Sequence, residues 1–277
     1  MLEIVKSIIF GIVEGITEWL PVSSTGHMIL LEELLPFSAS AVSSDFMEMF
    51  LVVVQLGAIM AVVLMYWNRL FPFSFQEGES FIKKDIFFMW FKIAAACVPA
   101  AAVELMFGDR IAELFYHYKV VAAMLILFGI LFIVIERWNK NRRSKVNSIA
   151  EITYQTALMI GVFQVIAAVF PGTSRSGATI IGALLIGVSR TTAAEFTFFL
   201  AVPVMFGASF IKILKFGLNF SRQELSILII GMAAAFIVSV AVIRFLMGYI
   251  KKHDFQAFGY YRIVLGILVL IVYPMIQ

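Results

Sequence analysis

The segment Glu14-Gly15-Ile16-Thr17-Glu18-Trp19-Leu20-Pro21-Val22-Ser23-Ser24-Thr25-Gly26-His27 places carboxyls, hydroxyls and an imidazole inside very apolar sequence. A second segment, Phe170-Pro171-Gly172-Thr173-Ser174-Arg175-Ser176-Gly177-Ala178-Thr179, has the same form. In each, an apolar run leads to a proline, a hydroxyl-rich turn and a glycine, after which apolar sequence resumes. The backbone groups of a turn inside a hydrophobic region must be satisfied without water. These two turns therefore decide how the chain is organised.

The two segments align without a gap at an offset of 150 residues. The matched pairs are Gly11 with Gly161, Glu14 with Gln164, Pro21 with Pro171, Ser23 with Thr173, and Ser24 with Ser174. Two later pairs keep this offset, Asp45-Phe46 with Glu195-Phe196 and Gly57-Ala58 with Gly207-Ala208. We therefore predict a single membrane domain over 1–277 with internal repeats at approximately 1–138 and 150–277.

The composition excludes a soluble protein. Hydrophobic residues make up 62% of the 277 residues and charged residues only 14%, and the mean hydropathy is +0.98. A soluble domain is about 45–50% apolar and about 25% charged. The net charge of +3 is small and gives no sign of a nucleic-acid partner. The single cysteine, Cys97, rules out an intramolecular disulfide. The sequence predicts an all-α integral membrane protein.

Apolar segments long enough to cross a bilayer occur three times in each half. They lie at 46–67, 86–107, 119–136, 195–216, 225–247 and 259–276. The arms beside the polar turns, 1–20, 27–36 and those within 152–188, fall short of the ~20 clean apolar residues that a span needs. They predict two re-entrant helical hairpins. Because three spans per half is an odd number, the second half enters with opposite orientation, which predicts an inverted repeat with both hairpin tips near the midplane.

The connection 137–148 carries five Lys or Arg residues and no acid. This is the strongest positive-inside signal in the chain. With this connection in the cytoplasm, 68–85 and 248–258 lie there too. The N-terminus, the connection 108–118 and the C-terminus then lie outside, the first hairpin enters from outside, and the second enters from the cytoplasm.

Glu14 and Glu18 are four residues apart and share one helix face. Carboxylates at membrane depth are costly and indicate function. Two close carboxylates can bind a divalent cation or share a proton. A shallow hairpin, with both side chains solvated at the interface, is the alternative.

Ser24 and His27 lie three residues apart across Gly26, where a helix restarts. A serine within reach of an imidazole is a nucleophile–base arrangement, so we expect Ser24 to attack and His27 to take its proton. His27 could also attack directly. Ser23, Ser24 and Thr25 are each equally compatible with a simple helix cap.

Arg175 lies at the tip of the second segment between Ser174 and Ser176. Its guanidinium fork suits phosphate oxygens, and the N–H groups of a helix start add to an anion site. An internal ion pair with Glu14 or Glu18 is the alternative, and it is compatible with an anion site that is empty.

The motif Glu14-x-x-x-Glu18 with Pro21-Val22-Ser23-Ser24-Thr25-Gly26-His27, followed by Pro171–Thr179, resembles the bacterial undecaprenyl-pyrophosphate phosphatase family of the bacitracin-resistance type. The order, the spacing and the chain length agree over essentially the whole sequence. The resemblance implies dephosphorylation of undecaprenyl pyrophosphate to the monophosphate, which recycles the lipid carrier of cell-wall synthesis and confers bacitracin resistance. It implies the bacterial cytoplasmic membrane, an active site open to the outer face, and a divalent cation, Mg²⁺ or Ca²⁺.

Carried over by position, the resemblance marks as functional Glu14, Glu18, Ser24, His27, Ser174, Arg175 and Thr179. We expect catalytic roles for Glu14, Glu18, Ser24, His27 and Arg175, with Glu14 and Glu18 as the candidate metal ligands. We expect substrate contacts from Ser23, Thr25, Gly26, Thr173, Ser174, Ser176, Gly177 and Thr179. The expected partners are the lipid substrate and the bilayer, and the oligomeric state, a homodimer included, stays open.

Two other classes compete with this interpretation. Inverted repeats with broken helices are typical of secondary transporters and lipid flippases, and fold alone does not decide function. Such a protein needs an anion site but no nucleophile, so the Ser24 and His27 pair favours an enzyme. The phosphatidic-acid type of membrane phosphatase needs a second histidine where this chain has Ile181.

Overall fold

The computed structural model describes residues 1–75, 80–217 and 219–276, and the regular structure of these residues is helical, with a short 3-10 helix at Ile149–Glu151 besides the α-helices. Their helices are α1 (Leu2–Thr17), α2 (Ser24–Leu34), α3 (Ser44–Val53), α4 (Gln55–Met65), α5 (Trp67–Leu70), α6 (Lys84–Phe115), α7 (Tyr118–Asn139), α8 (Tyr154–Val169), α9 (Arg175–Leu185), α10 (Arg190–Phe216), α11 (Arg222–Tyr249) and α12 (Gln256–Ile276). Glu77 and Gly78 of the predicted 68–85 connection lie outside the described residues. The all-α prediction is confirmed.

Among the described residues, six helical segments are long and apolar enough to cross a membrane. They are Ser44–Met65, Lys84–Phe115, Tyr118–Asn139, Arg190–Phe216, Arg222–Tyr249 and Gln256–Met275. Each overlaps one of the six predicted spans, so those spans are confirmed. The chain is therefore a multi-pass membrane protein.

One predicted connection is largely wrong. The segment 108–118 is predicted as a loop, but α6 continues through Phe115 and is 32 residues long. The residues after Gly108 include Arg110, Ala112 and Leu114, which are strong helix formers. Their charged neighbours lower the hydropathy without ending the helix, so hydropathy alone places the boundary too early.

Both polar segments interrupt a helix, as predicted. α1 ends at Thr17 and α2 begins at Ser24, and in the second half α8 ends at Val169 and α9 begins at Arg175. Neither member of either pair has more than 16 residues. No member is long enough to be counted among the spans.

A serine with left-handed backbone begins the second helix of each broken pair. Ser23 has φ of 72° and Ser174 has φ of 68°, and each is the N-cap of its helix. Their hydroxyls accept hydrogen bonds from the N–H of Gly26 at 3.3 Å and of Gly177 at 3.2 Å. These caps satisfy backbone donors that a helix start leaves free.

The gap-free alignment is wrong at the turns. The two caps lie 151 residues apart, so Ser23 corresponds to Ser174 and not to Thr173. The second turn has one more residue between its proline and its cap, and Gly172 adopts φ of 88° there. Arg175 thus corresponds to Ser24, since each is the first residue of its helix.

The first helix of each broken pair packs on the other half of the chain. α1 packs on α11, and its counterpart α8 packs on α6. α7 and α12 pack on each other, α2 lies beside α12, and α9 lies beside α7. Each contact from the first half to the second therefore has a counterpart from the second half to the first, and the two halves pack closely together.

Glycines allow the closest of these approaches. A Cβ at Gly11 of α1 would overlap the carbonyl oxygen of Gly231, and a Cβ at Gly161 of α8 would overlap that of Ala96. Small residues at such positions let helix backbones meet in a membrane. The matched glycines of the two repeats thus make equivalent contacts.

Candidate active site

Glu18 forms hydrogen bonds with the first residues of α2 and α9, which are the second helices of the two broken pairs. Its Oε1 accepts a hydrogen bond from Nη2 of Arg175 at 2.9 Å, and its Oε2 accepts one from the Ser24 hydroxyl at 2.9 Å. Its carbonyl oxygen accepts a bond from the Ser176 hydroxyl at 3.3 Å. The side chain is buried. The first residue of α2 and the first residue of α9 therefore bind one carboxylate.

Arg175 is held by α10 as well as by Glu18. Its Nη1 donates to the carbonyl oxygen of Thr197 at 3.1 Å. The Thr179 hydroxyl donates to the carbonyl oxygen of Arg175 at 2.9 Å and lies 2.9 Å from the Thr197 hydroxyl. The Arg175 Nε is buried and has no hydrogen-bond partner among the described residues. The guanidinium thus keeps its Nε–H for a further acceptor.

Glu14 is fully buried, and neither of its carboxylate oxygens has a hydrogen-bond partner in the described chain. Leaving a buried carboxyl without a partner is costly. A bound cation would satisfy these oxygens, and a proton would remove the buried charge. No group of three or more His, Cys, Asp or Glu residues in the described part of the chain could hold a metal ion by itself.

His27 does not bond to Ser24 in this structure. Its Nδ1 lies 2.8 Å from the carbonyl oxygen of Ser23, and its Nε2 lies 2.7 Å from the hydroxyl of Tyr261. Because a carbonyl only accepts, we assign the proton to Nδ1, which leaves Nε2 to accept from the tyrosine. The rings of His27 and Tyr261 stack with centroids 5.6 Å apart. The Ser24 proton points instead to Glu18.

Arg262 is a residue of this site that the sequence analysis missed. It is fully buried, and it donates to the carbonyl oxygen of Pro21 at 3.2 Å, of Gly172 at 2.8 Å and of Thr173 at 2.7 Å. One side chain of α12 therefore forms hydrogen bonds with the backbone of both turns. Its signal was available, because an arginine inside the apolar span 259–276 needs a reason.

The remaining candidates divide into structural and unassigned positions. Ser23 and Ser174 are caps, and the Ser174 hydroxyl lies 3.0 Å from that of Ser176. Thr173 is buried with its hydroxyl unpaired in the described chain, and Thr25 forms no side-chain hydrogen bond there. Gly26 and Gly177 supply the N–H groups bound by the caps. A Cβ at Gly177 would lie 3.1 Å from Nη1 of Arg262.

A groove of about 390 Å³ opens beside Arg175 between α6, α8 and α10. Its walls are mostly alanine, glycine, proline and valine, and its polar side chains are those of Glu104, Gln164 and Arg175. Gly207 lines it and has nothing within 4 Å of the Cβ position. At the matching position of the first half, a Cβ on Gly57 would overlap the carbonyl of Met232. The matched glycine of the first half is therefore in close helix contact, whereas Gly207 faces open space.

Comparison with known proteins covers nearly the whole chain. The family model described as bacitracin resistance protein BacA matches residues 7–268. A protein of Desulfitobacterium hafniense named undecaprenyl-diphosphatase is 64% identical over 271 residues, which is 98% of this chain and 96% of that protein. A protein of the same name from Enterococcus faecalis is 62% identical over 272 residues, 98% of this chain and 97% of the relative. Together with the two motif-bearing turns, these matches establish that the chain belongs to the bacitracin resistance protein BacA family.

Proposed function

We propose that this protein hydrolyses undecaprenyl diphosphate to undecaprenyl phosphate and inorganic phosphate, which recycles the lipid carrier of cell-wall synthesis and confers bacitracin resistance. The observation that carries the proposal is the convergence of Ser24 and Arg175 on Glu18. A hydroxyl, a carboxylate and a guanidinium at two helix starts form a site for an anhydride of phosphate. Relatives at 64% and 62% identity carry the name of this activity.

Arg175 and the N–H groups at the start of α9 bind the diphosphate. The Arg175 fork exchanges part of its contact with Glu18 for phosphate oxygens, with its unpaired Nε as a further donor. Phosphoryl transfer depends mainly on positioning and on offsetting the charge that builds on the transferred group. The arginine does both.

Ser24 attacks the terminal phosphorus and Glu18 takes its proton. The hydrogen bond from the Ser24 hydroxyl to Oε2 of Glu18, at 2.9 Å, supports Glu18 as the base in place of His27. The Ser24 oxygen–phosphorus bond forms as the anhydride bond to the prenyl phosphate breaks. Water then cleaves the phosphoserine to release inorganic phosphate. His27 orients the start of α2 through the Ser23 carbonyl.

A divalent cation fits beside this site. Glu14 offers two buried oxygens without hydrogen-bond partners in the described chain, and Glu18 is one helical turn away. Hard cations such as Mg²⁺ and Ca²⁺ bind carboxylate oxygens, so Glu14 and Glu18 would hold the ion. When bound, it would offset negative charge on the phosphate oxygens.

The prenyl chain lies in the groove beside Arg175, so the substrate stays in the bilayer. The groove has apolar walls and reaches the guanidinium, which supports this placement. We assign the two broken helix pairs to re-entrant hairpins of an inverted repeat in the bacterial cytoplasmic membrane. The exchanged packing of the halves and the basic connection 137–148 support this arrangement, with the active site opening to the outer face.

Release of phosphate by detergent-purified protein tests the proposal against a transporter or flippase. We expect inorganic phosphate from undecaprenyl diphosphate with the full-length protein and a loss of at least about 10³-fold with Glu18→Gln, which removes the base and one candidate metal ligand. Glu224→Gln, a change at the capping box of α11, is the matched control and should stay active. Vesicle transport of a prenyl phosphate without phosphate release would contradict the proposal.

A further inference from the structure

A basic cavity lies at the opposite end of α9 from Arg175. It measures about 410 Å³ and is walled by the end of α7, the connection to α8, the turn between α9 and α10, and the end of α11. Five cationic side chains line it, Arg142, Arg143, Lys145, Arg190 and Lys251. α9 has 11 residues, and at about 1.5 Å per residue it separates the cavity from Glu18 by roughly 15 Å. The cavity is distinct from the site described above.

Among the described residues that line the cavity, Glu136 is the one carboxylate, and its oxygens are already hydrogen-bonded. Glu136 binds Nε of Arg190 at 2.9 and 3.0 Å, and its Oε1 also accepts the N–H of Phe255 at 3.1 Å. Arg143, Lys145 and Lys251 form no ion pair with any residue in the described ranges. Unbalanced cations that face one concave space attract an anion.

Membrane orientation explains the basic residues but not their convergence. Lys140 and Lys252 lie in the same segments, are exposed, and do not line the cavity.

The walls combine charge with apolar surface. Leu184, Leu185, Ile186 and Ile250 line the cavity beside the cations. A free phosphate gains nothing from contact with these apolar side chains, whereas the first carbons of an acyl chain would bury apolar surface against them. The volume lies within the roughly 300–1,000 Å³ typical of small-ligand sites.

We propose that this basic cavity binds the phosphate headgroup of an anionic membrane phospholipid. Basic pockets between helices at a cytoplasmic surface bind such headgroups. Lys145 and Lys251, which come from different segments, contact the phosphate from two sides, and Arg143 adds a third cation. Leu185 and Ile250 contact the first carbons of the acyl chains.

Native mass spectrometry of the purified full-length protein, titrated with dioleoyl phosphatidylglycerol, tests the site. We compare Lys145→Gln/Lys251→Gln with Lys140→Gln/Lys252→Gln, which removes the same charge from the same segments outside the cavity. We expect the cavity variant to bind the lipid about 30-fold more weakly, since each cation contributes roughly a factor of five. The control variant should bind within about twofold of the parent protein.

Two further arms identify the ligand. Dioleoyl phosphatidylcholine, which has no net charge, should bind both variants and the parent protein equally. Size-exclusion and thermal unfolding profiles should match among the variants, which excludes misfolding as the cause of lost binding. Equal loss of phosphatidylglycerol in both variants would overturn the proposal, because it would indicate a general basic surface. Displacement of the lipid by an equal concentration of inorganic phosphate would overturn it too.

Discussion

Glu18 accepts hydrogen bonds from the first residue of α2 and from the first residue of α9, and this shared acceptor sets the chemistry of the site. Ser24 and Arg175 reach the same carboxylate from opposite halves of the chain. The sequence identified all three residues, but it paired Ser24 with His27. Partners at the start of a helix depend on how the helix is rotated, and spacing along the chain does not give that rotation.

The nucleophile is tested by paired substitutions at Ser24 and Tyr261. We expect Ser24→Ala to lose at least about 10³-fold in rate, because the attacking oxygen is removed. Tyr261→Phe removes only the hydroxyl bound by His27 and should cost far less. Phosphate release at saturating substrate measures both. Nearly full activity in Ser24→Ala with loss in His27→Ala would transfer the role to His27 or to water.

We expect activity to require the planar guanidinium of Arg175 and not only its positive charge. Arg175→Ala should be almost inactive, since an arginine at a transferred phosphoryl group contributes about 10³–10⁵ in rate where it acts as a finger. Arg175→Lys should recover little, because a lysine cannot bind Glu18, Thr197 and phosphate at once. Substantial activity of the lysine variant, measured by phosphate release, would reduce the role of Arg175 to a point charge.

We expect a substitution of Arg262 to lower the stability of the protein and, as a consequence, its activity. Arg262→Met leaves three buried carbonyl oxygens without this donor, and each loss costs about 1–3 kcal/mol. We therefore expect a clear drop in the unfolding temperature and reduced phosphate release. Arg222→Met, at an exposed arginine, is the control and should unfold like the parent protein. Equal unfolding of the two variants would contradict this role.

At the scale of helices, the spans and the two interruptions were predictable, but the alignment of the two turns was not. Hydropathy located the six spans and both interruptions, because long apolar runs and prolines are strong local signals. It did not reveal that the second turn is one residue longer, since a gap-free match through the arms hides an insertion between proline and cap. It also ended the second span too early, before the polar last turns of α6.

Substitutions at Gly57 and Gly207 test the difference in packing at these two matched positions. A methyl group on Gly57 would overlap the Met232 carbonyl, whereas Gly207 has open space. Gly57→Ala should therefore destabilise the protein by about 1–3 kcal/mol. Gly207→Ala should be neutral or stabilising by up to about 1 kcal/mol. Thermal unfolding compares them, and equal destabilisation would mean that the groove closes in solution.

For the molecule as a whole, the basic connection 137–148 predicts the orientation in the membrane. We expect Arg142 to face the cytoplasm and Tyr116 the outside. Single cysteines at these positions, in a Cys97→Ala background, can be tested with an impermeant thiol reagent on intact cells. The reagent should label position 116 and not 142. The reverse pattern would invert the protein and move the active-site opening to the cytoplasmic face.

The exchanged packing of α1 on α11 also has a consequence for biogenesis. The Ser7 hydroxyl donates to the carbonyl oxygen of Ile227, 220 residues later in the chain. At about 5–20 residues per second, the ribosome needs roughly 10–45 s to synthesise that interval. Throughout this time, the segment that forms α1 and α2 carries Glu14 and Glu18 without its partner helix α11. These two carboxyls must therefore be shielded from lipid until α11 has been synthesised, and the turn between α1 and α2 gains its hydrogen bond from Arg262 only after that.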